Sequence, residues 1–521
     1  MKHKYKIKTP KGIIEREYNY IPLRYIVAVL IAIIEILAII GVVVALCYYV
    51  PYFYALCVIA TIACIIIIIA SDDNPDYKIP WIVCVILMPI VGLMLYILFY
   101  SRKLQPRFIK RVKEAMRYRY QKDDTDAFLK LDTEDKVAAS QAKMLTEISY
   151  SHLFENTETE YFPSGEAMRD AILSDIARAE KFIFLEYFII EEGVFWNSIL
   201  DLLKEKVKEG VDVRVMYDDI GCMGTLPGNY ARILEKHGIK GAVFSKLRGS
   251  ADSEFNNRSH RKILIIDGKI GYTGGVNIAD EYINERRKFG HWKDTGIRLR
   301  GEAVFEMTQL FLFNFALNSK QLPDSPKDSY PEQKEVKSGG YVIPFGDGPR
   351  PIYQRNVSKS AIQNIIGSAT DYVYMTTPYL IIDNDLCSDI ERAALRGVDV
   401  RIIVPHIPDK KIIFGITRSF YHRLMNAGVK IYEYKPGFIH AKSYIADDKY
   451  AIIGTVNLDY RSLVHHFENG VWMYKTDAIL DIKRDIDETI EKSILITKDN
   501  LKTGIIARFI RSIVRIFAPM L

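Results

Sequence analysis

The chain of 521 residues repeats itself, and this duplication limits its fold more than any other feature of the sequence. Three stretches of the first half recur in the second half in the same order. The pairs are AEKFIFLEYFII at 179–190 with ATDYVYMTTPYL at 369–380, GVDVRVMYDD at 210–219 with GVDVRIIVPH at 397–406, and SHRKILIIDGKIGYTGGVN at 259–277 with IHAKSYIADDKYAIIGTVN at 439–457. The sequence therefore predicts two copies of one unit, related by a pseudo-twofold axis.

Each copy alternates buried apolar strands with amphipathic helices. In the first copy the pattern predicts a helix over 165–179, an apolar strand, a helix over 197–209 and a strand over 211–217, then a further helix and two short strands. Such alternation is typical of an α/β layered fold, so we expect two mixed-sheet α/β/α copies. Their predicted limits are 151–320 and 341–500, and the segment 321–340 between them, rich in Pro, Ser, Lys and Gly, is predicted to be a linker.

Three almost charge-free runs precede the two copies. They cover residues 25–50, interrupted only by Glu35, then 52–70 and 79–99. About 20 apolar residues span a bilayer, so each run is long enough for a transmembrane helix. A cleaved signal peptide has a single short apolar core instead. The sequence therefore predicts an integral membrane protein, and the alternative is that these runs are buried helices of a soluble core.

The excess of positive charge lies beside the apolar runs. The chain carries 70 Lys and Arg against 64 Asp and Glu, a formal net charge of +6. The segments 1–24, 101–119 and 501–521 contribute +5, +7 and +4, so the rest of the chain carries −10. Lys and Arg next to apolar runs are attracted by the anionic cytoplasmic leaflet. The acidic body is a poor match for nucleic acid, and we expect no nucleic acid as a partner.

The sequence leaves two membrane topologies open. The basic segment 1–24 and the basic juxtamembrane connector 101–150 are both expected in the cytoplasm, which requires an even number of crossings, whereas three runs make an odd number. Either residues 25–70 form a hairpin at Pro51 and the third run is re-entrant or interfacial, or one flank violates the rule. We expect a multi-pass protein whose catalytic part faces the cytoplasm.

The C-terminal segment 501–521 is basic and amphipathic. Isoleucine and phenylalanine side chains recur on one side of a predicted helix, opposite Arg508, Arg511 and Arg515. This pattern favours a helix that lies in the headgroup plane of an anionic membrane. The alternative is a terminal helix packed on the catalytic body.

The third repeated stretch carries one motif twice. Each copy has His-x-Lys-x4-Asp, a Gly seven residues later and an Asn three residues after the Gly. These residues are His260, Lys262, Asp267, Gly274 and Asn277 in the first copy and His440, Lys442, Asp447, Gly454 and Asn457 in the second. Residues two apart on a strand face the same side, so each His and Lys reach one pocket together. The glycines suit a turn that lets the backbone approach a ligand, and each Asn returns an amide donor to the pocket.

Two imidazoles, two ammonium groups and two amides suit a phosphodiester substrate. The Lys and Asn donors would hold its negative charge, while one imidazole attacks phosphorus and the other protonates the leaving alkoxide. This chemistry needs no metal and no cofactor. The six cysteines, four of which lie in or against the apolar runs, indicate neither a disulfide framework nor a zinc site.

With these motifs the chain resembles the phospholipase D superfamily and, within it, the bacterial cardiolipin synthases. Beyond the paired motif, the resemblance rests on NPDYKIPW at 74–81, LMPIVGLMLYILF at 87–99, HWKDTG at 291–296 and NLDYRS at 457–462. The family implies a bacterial cell-membrane enzyme that acts on phosphatidylglycerol among anionic membrane lipids. In its ping-pong reaction one phosphatidylglycerol loses glycerol to leave a phosphatidyl-histidine. The hydroxyl of a second phosphatidylglycerol then resolves this intermediate to cardiolipin.

The resemblance also implies roles for the motif residues. His260 would be the nucleophile and His440 the general acid and then base, or the reverse. The phosphoryl oxygens would be stabilised by Lys262, Lys442, Asn277 and Asn457. Asp267 and Asp447 lie at the far end of a strand from each Lys, where we expect structural hydrogen bonds rather than direct chemistry.

A nucleophilic histidine needs a partner that orients its other ring nitrogen. Two carboxylates downstream of the motifs, Asp294 and Glu468, are candidates for this task. The alternative for each is a solvated or capping carboxylate.

Three other functions compete with lipid transfer. In a hydrolytic phospholipase D, water would resolve the same intermediate, and only the resemblance of the membrane segment favours transfer. The acidic body disfavours a membrane-tethered nuclease. A membrane scaffold with a decayed site is disfavoured because all ten motif positions hold competent residues.

Overall fold

The fold is described from a computed structural model of the chain. The structure describes residues 2–9, 12–19, 23–49, 51–71, 73–97, 109–112, 114, 122–246, 257–319, 336, 338–501 and 514–518. Most of the predicted linker 321–340 and much of the basic segments 101–119 and 501–521 lie outside these residues.

The amino-terminal end consists of a two-stranded hairpin and four helices. These are β1 (Lys2–Thr9), β2 (Gly12–Asn19), α1 (Leu23–Tyr49), α2 (Pro51–Ala70), α3 (Pro75–Leu87) and α4 (Pro89–Leu95). Among the described residues one stretch, Ile26–Leu46 of α1, is a candidate membrane span, with 21 residues, a mean hydropathy of 3.2 and none of it buried. Ala55–Ala70 of α2 is a shorter apolar helix. The first two predicted runs are therefore helices that meet at Pro51.

The third predicted run, 79–99, is not one continuous helix. It is divided between α3 and α4 because Pro89 has no N–H to continue the hydrogen bonds of α3. A Cβ added to Gly92 would lie 2.4 Å from the carbonyl oxygen of Cys84, so α4 folds back against α3. With 13 and 7 residues, neither helix alone has the roughly 20 residues that span a bilayer. This geometry favours the re-entrant or interfacial alternative for the third run.

Two large mixed sheets follow, one in each copy. The order in the first is β3 (Thr157–Phe162), β10 (Gly296–Gly301), β8 (Ile270–Gly274), β7 (Lys262–Ile266), β4 (Phe182–Tyr187), β5 (Asp212–Asp218) and β6 (Lys240–Phe244). The order in the second is β11 (Tyr341–Asp347), β20 (Glu468–Tyr474), β18 (Tyr450–Gly454), β17 (Ser443–Ala446), β12 (Tyr372–Thr376), β14 (Asp399–Pro405), β15 (Lys430–Tyr434) and β21 (Ser493–Leu495). Apart from β21, the strands of these two sheets correspond one to one. A separate short pair in the second copy consists of β13 (Leu380–Ile381) and β19 (Leu458–Asp459). The predicted duplicated α/β fold is confirmed.

Helices cover both faces of each sheet. They are α5 (Thr125–Glu134), α6 (Lys136–Ser149), α7 (Gly165–Ala177), α8 (Val194–Lys208), α9 (Tyr230–Glu235), α10 (Val304–Ser319), α11 (Val357–Ser368), α12 (Asn384–Leu395), α13 (Lys411–Asn426) and α14 (Ala478–Glu491). Apolar residues of α10 and α14 pack between the two sheets in one shared core. The end of the predicted connector 101–150 forms α5 and α6, which pack on the second copy because Ala138, Ala142 and Leu145 are buried in its core.

Short strand pairings join the two copies beside the motifs. Strand β9 (His291–Lys293) of the first copy pairs in parallel with β16 (Gly437–Ile439) of the second. On the opposite side Ser259 of the first copy forms a bridge with Phe467 of the second. A segment of each copy therefore runs beside the histidine of the other copy.

Candidate active site

The two motif histidines lie in one shared cavity. His260 lies just before β7 and His440 just before β17, and both side chains line a cavity of 370 Å³ together with Asn277 and Asn457. The histidines are buried, 6% and 7% exposed. The structure thus brings together motifs that are far apart in the sequence.

Each histidine is hydrogen-bonded to a carboxylate of the other copy. The Nδ1 atom of His260 lies 3.0 Å from both carboxylate oxygens of Glu468. The Nδ1 atom of His440 lies 2.7 Å from Oδ2 of Asp294. A carboxylate accepts, so Nδ1 of each ring carries the proton and Nε2 keeps the lone pair. Either Nε2 atom can act as a nucleophile or a base.

The backbone fixes both histidines in the same crossed manner. The His260 N–H donates to the Phe467 carbonyl at 2.8 Å, and the His440 N–H donates to the Lys293 carbonyl at 2.7 Å. Each motif lysine donates from Nζ to the carbonyl of its own histidine, at 2.7 Å for Lys262. Both ammonium groups are therefore held against the chain that carries the imidazole.

Burial shifts the ionisation of all four motif bases. Desolvation lowers the pKa of His260 to about 3 and that of His440 to about 4, although Glu468 and Asp294 oppose the shift. Desolvation likewise lowers the pKa of Lys262 to about 8 and that of Lys442 to about 7. At neutral pH both imidazoles of the protein alone are therefore neutral, and both lysines hold their proton less firmly than an exposed lysine does.

The two carboxylates have different surroundings. Glu468 also accepts hydrogen bonds from the hydroxyls of Ser462, at 2.6 Å, and Thr455. Asp294 accepts the backbone N–H of Thr295 at 2.9 Å. Burial opposes ionisation of Glu468, but the neighbouring His260 keeps the pKa of this carboxyl below its usual range. The Glu468 carboxylate is therefore ionised and held by several donors.

The side chains of the two motif asparagines differ in their hydrogen bonds. Asn277 accepts the Ile189 N–H at 3.1 Å and donates to the Tyr282 hydroxyl at 2.7 Å, so its amide is engaged within the fold. The side-chain oxygen of Asn457 is buried without a hydrogen-bond partner. Both line the cavity, but Asn457 has the freer amide group.

Asp267 and Asp447 lie at the far ends of β7 and β17 and fix the neighbouring strand. Asp267 accepts the backbone N–H groups of residues 180, 181 and 182, and Asp447 accepts those of residues 370, 371 and 372. A five-residue strand is roughly 16 Å long, which separates Asp267 from the cavity.

The motif glycines allow close packing of neighbouring backbone. A Cβ at Gly274 would lie 2.4 Å from the Thr295 carbonyl oxygen, and one at Gly454 would lie 2.3 Å from the Asn469 carbonyl oxygen. Both positions therefore exclude a side chain, and approach of this backbone to a ligand stays a prediction.

Aromatic rings and charged side chains of both signs form most of the rest of the cavity wall. The rings are those of Phe188, Tyr282, Phe289, Trp292, Tyr379, Phe438 and Tyr460, the cations are Arg258, Lys288, Lys410 and Arg461, and the carboxylates are Glu281, Asp409 and Asp459. Aromatic walls with a few polar and charged groups suit a polar headgroup attached to an apolar body.

Sequence reasoning missed a third histidine of the site, His466, and the hydroxyls of Ser462 and Thr455 that bind Glu468. His466 lines the cavity with its ring centroid 5.5 Å from that of His260. Within the described part of the chain, His260, His466 and Glu468 are the group whose ligand atoms, all within 4.8 Å of one another, could hold a metal ion. One signal in the sequence could have identified His466. It lies two residues before the candidate carboxylate Glu468, just as Trp292 lies two residues before Asp294.

Two family models match the chain. The model described as "Cardiolipin synthase, PLD-like domain" matches twice, at residues 172–290 and 362–490. The model described as "Phospholipase D-nuclease N-terminal" matches residues 59–99.

Relatives are similar over most of their length. An uncharacterized protein of Streptococcus mutans is 41% identical, over 88% of this chain and 100% of that protein. The cardiolipin synthase 2 of Bacillus cereus is 33% identical, over 88% of this chain and 89% of that protein. A crystal structure of phosphatidylserine synthase from Haemophilus influenzae Rd KW20 has a TM-score of 0.55 at 15% identity, over 73% of this chain and 98% of that chain, which shows a common fold.

Proposed function

Because the chain belongs to the cardiolipin synthase family of phospholipase D-like proteins, we propose that it transfers a phosphatidyl group between two phosphatidylglycerol molecules. The products are cardiolipin and glycerol. The observation that carries the proposal is the pair of buried histidines in one cavity, each with its Nδ1 on a carboxylate of the other copy.

In the first half-reaction Nε2 of His260 attacks phosphorus of the donor lipid. The bond between phosphorus and the glycerol oxygen breaks, and His440 gives a proton to that oxygen as glycerol leaves. His440 must be protonated at this point. The phosphodiester brings a negative charge into the cavity, which raises the pKa of His440 from its value in the protein alone.

In the second half-reaction the acceptor lipid replaces glycerol. His440, now neutral, takes the proton of the acceptor hydroxyl, whose oxygen attacks phosphorus. The bond between phosphorus and Nε2 of His260 breaks, and His260 is regenerated. Water in place of the lipid hydroxyl would give phosphatidic acid instead.

Lys262, Lys442 and Asn457 are suited to bind the phosphoryl oxygens. Hydrogen-bond donors aimed at developing charge in a dry site contribute strongly to catalysis. The support for this role is that Asn457 lines the cavity and that both lysine side chains are buried with Nζ on the carbonyl of the neighbouring histidine, behind the residues that line the cavity.

The family is one of bacterial membrane proteins, and we infer a two-crossing topology for this chain. Helices α1 and α2 would form a hairpin at Pro51, while α3 and α4 fold back at the interface on the side of the catalytic body. Both basic flanks would then face the cytoplasm, as the positive-inside rule requires. Protease protection of tags at either terminus in intact cells tests this topology, and exposure of either tag outside the cell would contradict it.

The function is tested with the purified full chain in phosphatidylglycerol vesicles. We expect cardiolipin and glycerol in equal amounts. Phosphatidic acid with glycerol would identify a hydrolase, and cleavage of single-stranded DNA in place of lipid would identify a nuclease. Turnover should survive EDTA; loss that added metal restores would contradict the mechanism.

A further inference from the structure

The third histidine of the cavity breaks the pseudo-symmetry of the site. Two residues before Glu468 the chain has His466, and two residues before Asp294 it has Trp292. The ring centroid of His466 lies 5.5 Å from that of His260, and the ring centroid of Trp292 lies 5.5 Å from that of His440. The same position therefore holds an imidazole in one copy and an indole in the other.

His466 lies beside the carboxylate that orients His260. Its Nδ1 atom is 3.7 Å from Oε1 of Glu468, the oxygen that is also 3.0 Å from Nδ1 of His260. This Nδ1 atom is buried without a hydrogen-bond partner. With its proton on Nδ1, His466 presents a donor to a carboxylate oxygen 3.7 Å away, in a place where an unpaired polar group is costly.

The indole of Trp292 has no equivalent relation to Asp294. Its Nε1 atom also lacks a hydrogen-bond partner, and the ring packs on Tyr282 and Phe438 at centroid distances of 4.7 Å and 4.8 Å. His440 therefore has an aromatic wall around it. His260 has Phe188, at 5.1 Å, and a second imidazole.

We propose that His466 is a positioning residue that holds Glu468, through its ring nitrogen, in the orientation that His260 needs for attack on phosphorus. This inference rests on the proposed use of His260 as the nucleophile. When His260 carries the phosphatidyl group its ring is a cation, and a carboxylate fixed from a second side stays aligned with the His260 Nδ1–H. The titratable groups that face His260 are Glu468, Lys262 and His466.

Two substitutions distinguish the contribution of the ring nitrogen of His466 from that of its aromatic ring. His466→Asn keeps a nitrogen on Cγ, where Nδ1 is attached, and His466→Phe keeps the ring but removes both nitrogens. We expect His466→Asn to retain kcat within about threefold, and His466→Phe to lose about tenfold or more, in the range found for residues that orient a catalytic histidine. KM and the melting temperature of both variants should match the wild type.

The assay uses bis(p-nitrophenyl) phosphate, a soluble phosphodiester, so its outcome does not depend on which lipid is the substrate. His422→Phe, at an exposed histidine that hydrogen-bonds Asn426, is the matched control. Wild-type kcat in His466→Phe would overturn the inference, as would equal losses in both His466 variants. Failure of the proposed lipid transfer would instead appear as normal cleavage of this diester without cardiolipin formation from phosphatidylglycerol.

Discussion

The two copies differ most clearly in what caps the helix after their first central strand. In the first copy the N-terminus of α8 is capped from within, because Asp280 accepts the N–H groups of Val194 and Phe195, both at 3.0 Å. In the second copy the N-terminus of α12 is capped in part by α3 of the predicted membrane segment, because Asp76 accepts the N–H of Asn384.

More contacts tie this membrane segment to the second copy. Asn74 donates to Asp383 at 2.7 Å, and the ring centroid of Tyr77 lies 5.4 Å from that of His465. His465 adjoins His466, which lines the cavity. The comparison teaches that the chemical groups are duplicated while the attachment to the membrane segment belongs to one copy.

We expect the largest loss of activity from substitution of either motif histidine, and a second substrate should distinguish their roles. His260→Ala and His440→Ala should each lower kcat on phosphatidylglycerol by roughly 10³-fold or more, because one removes the nucleophile and the other the acid and base. A phosphatidyl ester of p-nitrophenol needs no proton on its leaving group. With it, His440→Ala should still release a burst of p-nitrophenol and His260→Ala should not; a burst from His260→Ala alone would reverse the assignment.

The carboxylates should show the next largest effect. Glu468→Gln and Asp294→Asn should each lower kcat roughly 10- to 100-fold, because an amide orients the imidazole less well and leaves its developing positive charge uncompensated. Glu468→Gln should lower kcat more than Asp294→Asn, since Glu468 also accepts hydrogen bonds from the hydroxyls of Ser462 and Thr455. Steady-state kinetics of matched preparations measure both variants, and a larger loss in Asp294→Asn would contradict this ranking.

The lysines should give a pH dependence that differs between the copies. Burial lowers the pKa of Lys442 to about 7 and that of Lys262 to about 8, so the second copy loses its ammonium charge first as pH rises. Phosphate binding should therefore weaken severalfold between pH 6 and pH 9, with a rise in KM. Lys442→Arg cannot lose its charge in this range, so its KM should rise less; a KM of the wild type that is independent of pH would contradict the shift.

The helix caps should give the smallest effect. Asp280→Ala and Asp76→Ala should each destabilise the protein by about 1 kcal/mol, the usual cost of a lost cap. Thermal unfolding in detergent measures both. Only Asp76→Ala should also make the connector between α4 and α5 easier to cleave with protease, and equal cleavage in both variants would show that the membrane segment is held by other contacts.

The duplication and the paired motif could be predicted from the sequence because their spacing repeats. Asp294 and Glu468 were only candidate partners of the histidines, and the structure places each of them on the Nδ1 atom of one histidine. The pairing of each carboxylate with the histidine of the other copy could not be predicted, since Glu468 is 208 residues from His260 and Asp294 is 146 residues from His440. The path of the third apolar run also depends on packing and could not be predicted from composition. The run 79–99 has enough apolar residues for a span, but Pro89 and the close contact at Gly92 turn it back on itself. The packing of Gly274 and Gly454 against neighbouring backbone could not be predicted from local sequence, because pairing between strands is decided by the fold.

The crossed carboxylates mean that neither copy holds a complete site. A single copy has a histidine whose partner lies on the other copy and a buried carboxylate whose partner is missing. Such a unit could be complete only as a symmetric homodimer, in which one self-complementary surface makes both contacts. The chain corresponds to such a dimer with its two subunits covalently linked, and the linked halves are free to carry different residues at equivalent positions, as they do at His466 and Trp292.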